Sequence, residues 1–274
     1  MTVSLPAAQK PAPGATRPRR RFPTLRCIGA LMLREMATTY GRSPGGYIWA
    51  ILEPVAGIFI LTAASSFMMA RPPIGTSFEL FYATGMLPFF MFNMICSRVG
   101  TAIIFSKPLL AYPAVTYVDA LIARFIVNFL TELLVFFIVM TILMLNFDTR
   151  AVLDYGMIAK GLAMVALFSF SLGTLNAWLF MRFHVWHVLW SVISRPLFLI
   201  SGVFFMYEYI PEPLKTWLWF NPVLHCIGMV RAGFYPSYND SYVSTAYVLL
   251  LSLSMLALAL LILSRQVKTL LYEG

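Results

Sequence analysis

Charge is what this sequence has least of. Asp, Glu, Lys and Arg together make up 11% of its 274 residues, against about 25% in an ordinary soluble domain. A water-soluble fold of that length could not cover its surface with so few ionised groups, which excludes a soluble enzyme. Cysteine is sparse too. Cys27, Cys96 and Cys226 are odd in number and share no motif spacing, so neither a disulfide framework nor a zinc site follows from them. No lysine is preceded by glycine, so the phosphate loop that binds and hydrolyses ATP is missing. Catalytic constellations are missing too. His225 has no serine or cysteine partner in a nucleophile motif. His184 and His187 fall near one helical face, with no nearby carboxylate to complete a metal site. Paired carboxylates for acid–base work on glycans would have to be Glu208 and Glu212, which flank a proline turn. Residues 1–21 lack the apolar core of a secretory signal, and no repeat recurs at a fixed period.

Apolar residues, by contrast, reach 60% of the chain, and they are gathered into long runs. The spans predicted are 47–69, 80–102, 118–145, 156–180, 186–205 and 243–263, each near the ~20 residues that cross ~30 Å of hydrocarbon. The third is overlong and must tilt or protrude. The expected fold is an all-α integral membrane protein with six transmembrane helices. Ahead of them, Pro6, Pro11, Pro13, Pro18 and Pro23 predict a disordered basic tail over 1–23. Residues 24–46 predict an interfacial amphipathic helix and turn. Leu25, Ile28, Met32 and Met36 form its apolar face, with Arg26, Arg34 and Thr38 turned away. The transmembrane domain then runs over 47–264, and 265–274 forms a second tail.

The formal charge of +9 is unevenly placed. Lys10, Arg17, Arg19, Arg20, Arg21, Arg26, Arg34 and Arg42 all precede the first apolar run. With no base-reading motif beside it, this basic tail reads as a topology signal rather than a nucleic-acid site. Lys107, Arg182, Arg265 and Lys268 fall on the same side. The other side holds Arg71, then Arg150 against Asp148 and Asp154, then Lys215 and Arg231 against Glu208, Glu212 and Asp240. The basic excess places both termini in the cytoplasm, as an even number of spans requires.

Two connections exceed a turn. The cytoplasmic loop 103–117 carries Pro108 and Pro113 around a short apolar piece, as a docking element or as a plain connector. The outer segment 206–242 contains an apolar stretch that Asn221-Pro222 breaks into halves of about ten and about fourteen residues, too short to cross. It reads as a re-entrant half-helix pair between spans five and six, tolerated at depth only where protein or a water-filled cavity shelters it.

Polar residues inside apolar segments need a partner or a wet face. Glu53, next to the helix-loosening Pro54, reads equally as a coupling carboxylate or as an interfacial group paired with an arginine. Asn93, Arg98, Arg124, Glu132 and Arg195 are the others. Snorkelling near span ends accounts for Arg98 and Arg124, whereas Glu132 is deeper. Aromatic residues crowd the outer side, Tyr207, Trp217, Trp219, Phe220 and Tyr235 among them. They form either an interfacial belt or an exit path whose ring faces suit the CH-rich faces of sugars.

The stretch Leu33-Arg34-Glu35-Met36, Thr39-Tyr40-Gly41-Arg42-Ser43 and Gly46-Tyr47-Ile48-Trp49-Ala50-Ile51-Leu52-Glu53-Pro54 resembles the start of the type-2 ABC exporter permeases. It is closest to their capsular polysaccharide branch, the KpsM type. The Asn221-Pro222 break after an aromatic segment is also similar, and the resemblance covers residues 24–274. It implies a homodimeric permease in the bacterial inner membrane. It also implies two copies of a separate ATPase that uses ATP and Mg, no cofactor on this chain, and no catalysis by it. The cargo implied is a lipid-linked capsule polymer, passed to periplasmic and outer-membrane export proteins. O-antigen, teichoic-acid glycan or a small hydrophobic compound on the same fold is the alternative cargo. By the same resemblance Arg34, Glu35, Tyr40, Arg42, Lys107, Pro108, Tyr112 and Pro113 would receive the ATPase stroke. Glu53, Asn93, Arg98, Glu132, Tyr207, Trp217, Trp219, Phe220 and Tyr235 would line or gate the route.

Overall fold

A computed structural model describes residues 23–39, 46–110, 112, 115–149 and 151–273. Those residues form ten α-helices and one short 3-10 turn, with no strand among them. The helices are α1 (Pro23–Thr39), α2 (Gly46–Met68), α3 (Phe78–Gly100), α4 (Ala102–Leu110) and α5 (Tyr117–Asn146). They continue as α6 (Tyr155–Arg182), α7 (His184–Ile200), α8 (Leu214–Trp219), α9 (Pro222–Ala232) and α10 (Thr245–Glu273).

Helix starts follow local chemistry. Thr116 and Asp119 form a reciprocal capping box on α5: the Asp119 N–H donates to Thr116 Oγ1 at 3.2 Å, and the Thr116 N–H to Asp119 Oδ2 at 3.0 Å, satisfying two donors the helix cannot. Asp154 caps α6 by accepting the Met157 N–H at 3.0 Å. Asn221 caps α9, with Pro222 at the position where its missing N–H costs nothing. The internal prolines Pro54, Pro88, Pro108 and Pro196 are carried within helices rather than ending them.

Five stretches are long and apolar enough to cross a membrane: Ile48–Met68, Phe78–Leu110, Tyr117–Asn146, Tyr155–Arg182 and Thr245–Val267. The segment expected as span 186–205 is instead the 17-residue α7, about 25 Å long. It ends at Ile200, and Gly202 turns the chain with φ +80°. The expected loop 103–117 is helical up to Leu110. After a turn at Thr101, α4 prolongs α3, because Ala102, Ile103 and Ser106 are buried and hold the rod in register.

The core is the packing of α3 against α6, with α9, α10 and α5 around it. The rings of Phe92 and Phe168 stack at 5.4 Å. Between α3 and α6 the approach is set by Gly173, where a Cβ would lie 2.9 Å from Val99 Cβ. Small residues at crossings let helices approach without a hydrophobic driving force between them. Burial is lopsided. The apolar stretches of α3 and α6 are 61% buried, whereas that of α2 is 11% buried.

Helix α1 packs along the first turns of α5. Leu25 and Met36 are exposed, and the deeply buried residues are Leu31 and Glu35, the latter paired with Arg124 on α5.

Candidate functional site

At the meeting of α1, α4 and α5, Arg124 Nε lies 3.0 Å from Glu35 Oε1, and both side chains are buried. Arg124 Nη1 donates to the Thr101 carbonyl at 3.2 Å, and Arg34 Nη2 to the Phe105 carbonyl at 3.4 Å. Both guanidiniums lie over the Phe105 ring, at 4.4 and 4.7 Å from its centroid, a geometry that suits cations and an aromatic face. One ion pair and one ring therefore bind three helices together. Arg124 is not the snorkelling residue expected, because its charge is paired inside the fold. Arg34 and Glu35 come together as one cluster. Lys107, Pro108 and Tyr112 are exposed on the continuation beyond it. Tyr40, Arg42 and Pro113 lie outside the described residues. Burial first, and then the Asp119 carboxylate, hold the Cys27 thiol on α1 above its usual range.

Farther along α5, Glu132 is half-buried and within electrostatic reach of Glu53 on α2 and Arg98 on α3. Glu53 itself is exposed. Three predicted polar residues thus converge from three helices, although their sequence spacing is unrelated.

The outer segment is built mostly from interlocked rings. Tyr207 is buried, stacks on Tyr242 at 4.2 Å and donates its hydroxyl to the Lys215 carbonyl at 3.2 Å. Burial and then Glu212 raise its phenol above the usual range. Trp219 donates its indole N–H to the Tyr242 carbonyl at 3.1 Å. His225 accepts the Ser244 N–H at Nδ1, 3.2 Å away, which leaves Nε2 protonated to donate to the Trp219 carbonyl at 2.7 Å. Tyr235 is buried beside Gly75, whose φ of +76° brings the backbone onto the ring. Only Trp217 and Phe220 among the aromatic candidates are exposed, at 75% and 59%. Most of the cluster is therefore internal cement.

The two short helices also differ from their expected lengths, at six residues for α8 and eleven for α9. No residue of α8 is buried, whereas every residue from Val223 to Ala232 is. Helix α9 lies so close to α6 that a Cβ on Gly161 would approach the Val230 nitrogen to 2.8 Å. Its Arg231 is 1% exposed and donates to the carbonyls of Gly202, Phe205 (3.1 Å), Val203 (2.9 Å) and Phe81 (3.4 Å). The guanidinium also covers the Phe81 ring at 4.3 Å. Arg231 was counted above as a loop charge; it is a core residue that ties α9 to the end of α7 and the start of α3.

A last polar region lies between α3 and α7. Asn93 lines a groove of about 410 Å³ there, together with His187, Trp190, Ser194 and Arg195. Trp190 had no signal in the sequence. Among the described residues, no three His, Cys, Asp or Glu side chains gather as a metal site.

The family model for the ABC-2 type transporter matches residues 26–235, from α1 through α9. The chain is 28% identical over 233 residues to the polysialic acid transport protein KpsM of Escherichia coli, covering 85% of this chain and 90% of that one. It is 26% identical over 242 residues to the capsule polysaccharide export inner-membrane protein CtrC of Neisseria meningitidis, covering 88% and 91%. It is 25% identical over 235 residues to the capsule polysaccharide export inner-membrane protein BexB of Haemophilus influenzae, covering 86% and 89%.

Proposed function

The chain belongs to the ABC-2 type transporter family, and from that premise we propose that it is the permease subunit of an ATP-driven exporter carrying capsular polysaccharide out across the bacterial inner membrane. One observation carries the cargo. Relatives from three genera match this chain over 85% or more of its length, and each is named for polysialic acid transport or capsule polysaccharide export. With no phosphate loop in the sequence, the power stroke comes from a separate ATPase, two copies per complex, using ATP and Mg. Helix α7 and the turn after it supply a sixth crossing, which puts both termini in the cytoplasm. A second copy of the chain completes the conduit. The exposed face of α2, which includes Phe59 and Ile60, is the apolar surface available for that pairing. Periplasmic and outer-membrane export proteins receive the polymer.

In this reading the α1–α4–α5 cluster couples to the ATPase. Motion applied at Lys107, Pro108 or Tyr112 reaches Phe105, and through its ring both Arg34 and Arg124. Tyr40, Arg42 and Pro113 belong to the same proposed coupling set by sequence alone. The Glu53, Glu132 and Arg98 group, with Trp217 and Phe220, faces the route.

Deletion of the gene followed by localisation of capsule polymer tests the function. Polymer trapped inside the cell is the expected result, and surface capsule at the normal level would refute it. Single cysteines at 106–110 and 112, crosslinked to the ATPase in an active complex, test the coupling surface. Absence of any crosslink there removes it.

A further inference from the structure

Arg195 is placed differently from the other arginines described above. Its neighbour Phe198 has its ring 4.9 Å from Phe89 and 6.1 Å from Phe90. Phe89 follows Phe78, the first residue of α3, by 11 positions, which is about 16 Å along the helix. Arg195, less than one turn before Phe198, therefore sits at hydrocarbon depth. It is exposed, and it makes no ion pair or hydrogen bond with any described residue. A cation there costs roughly 2.5 kcal/mol or more unless water or an anion meets it.

The groove beside it has the complementary chemistry. Trp190 is 7% exposed, and its indole N–H is buried with no partner. An orphaned buried donor is a standing cost. His187 adds an imidazole, and no carboxylate lines the groove. Asn93 Oδ1 is likewise buried without a partner and can accept a hydroxyl. Phe89 and Phe198 form apolar walls that suit the CH faces of a sugar ring. At about 410 Å³ the space is that of a small-molecule site.

We propose that this groove binds the oxyanion of an acidic glycan in transit, with Arg195 as counter-ion, Trp190 Nε1 as hydrogen-bond donor and Asn93 as acceptor for a neighbouring hydroxyl. The inference rests on the export reading above and adds the place in the fold where an anionic group of the cargo is met. The oxyanion is either a carboxylate on the polymer or a phosphate on the lipid that carries it.

The test uses the complete permease–ATPase complex in phosphatidylcholine nanodiscs, with oligosialic acid and its carboxyl-reduced, neutral form as probes. Oligosialic acid should bind about tenfold more weakly to Arg195→Gln, with Arg195→Lys in between. Trp190→Phe, which keeps the ring and removes the donor, should weaken it about threefold. The neutral form should not distinguish wild type from Arg195→Gln. If oligosialic acid fails to bind, but phosphatidylglycerol retained by wild type is lost from Arg195→Gln in native mass spectrometry, the oxyanion is a lipid phosphate and the site stands. Equal affinity of wild type and Arg195→Gln for both anions overturns it. So does dissociation of two copies of the chain in Arg195→Gln, which would make Arg195 a subunit contact. A deletion strain that keeps its surface capsule refutes the export reading without altering these binding results, so the two failures are separable.

Discussion

Arg231 on α9 and Arg195 on α7 are two guanidiniums in one apolar helical body, with opposite surroundings. Arg231 is sealed in, donates to four carbonyls and lies on an aromatic ring. Arg195 lies on an open face and donates to no described residue. The first has its charge dispersed by the fold through both terminal nitrogens, with Nε alone left without a partner, so its role is architectural. The second leaves its charge for something the single chain does not contain. Satisfaction of hydrogen-bonding capacity, rather than charge or depth alone, separates the parts that hold this protein together from the parts left to act on others.

The sharpest way to break that contrast is to remove each arginine. Arg231→Met orphans several buried carbonyls and should cost about 3–5 kcal/mol, since each buried acceptor left unsatisfied costs about 1–3 kcal/mol. Arg195→Met should not destabilise the fold, because it removes a cation that is a standing cost where nothing meets it. Thermal unfolding in detergent measures both, and comparable losses would erase the distinction. Next in size, Glu35→Ala leaves Arg124 buried and uncompensated, at about 3 kcal/mol. Adding Arg124→Met should recover most of that loss, and a double mutant no better than Glu35→Ala would deny that the pair is a unit.

Smaller still is Gly85→Ala. The new methyl would meet Arg231 Nη2 at 2.8 Å and the Val203 backbone at 3.1 Å, so a loss of about 2 kcal/mol is expected. Gly29→Ala, with nothing within 4 Å, should be neutral or slightly stabilising through helix propensity. The smallest contrast lies among the outer rings. Trp219→Ala gives up a hydrogen bond and ring contacts with Tyr247 and His225, for about 1.5 kcal/mol. Trp217→Ala should change stability by less than about 0.5 kcal/mol. Slower export in Trp217→Ala, with unchanged melting, would put that ring on the route.

Much of this architecture is legible in the sequence because hydrophobic length is a local property. The runs at 47–69, 80–102, 118–145, 156–180 and 243–263 became helices with shifted ends. Capping at Thr116 and Asp154, invisible to a hydropathy window, set where two of them begin. The segment at 103–117 looked like a loop because of its prolines, yet burial of Ala102 and Ile103 carried the helix past Pro108. For helix α1 the face that meets α5 was not legible, since that contact depends on Arg124, which lies 89 residues beyond Glu35 in the chain. Arg231 was the plainest miss. Its acceptors sit up to 150 positions away, and no spacing rule gathers carbonyls from α3 and from the turn after α7. Glu53, Arg98 and Glu132 could be nominated singly from their setting in apolar runs, but their convergence could not.

Asn221 uses both ends of one amide. Its Oδ1 accepts the Val223 N–H at 3.0 Å and starts α9, while its Nδ2 donates to Ile200 O and Ser201 Oγ at 3.1 and 3.2 Å, where α7 stops. It works as a rivet, and a rivet with two heads has few substitutes. Aspartate keeps one head and turns the other into a repulsion between oxygens, and serine is too short to span the joint. The stop of one helix and the start of another are thereby locked to a single side chain, so neither can shift without releasing the other.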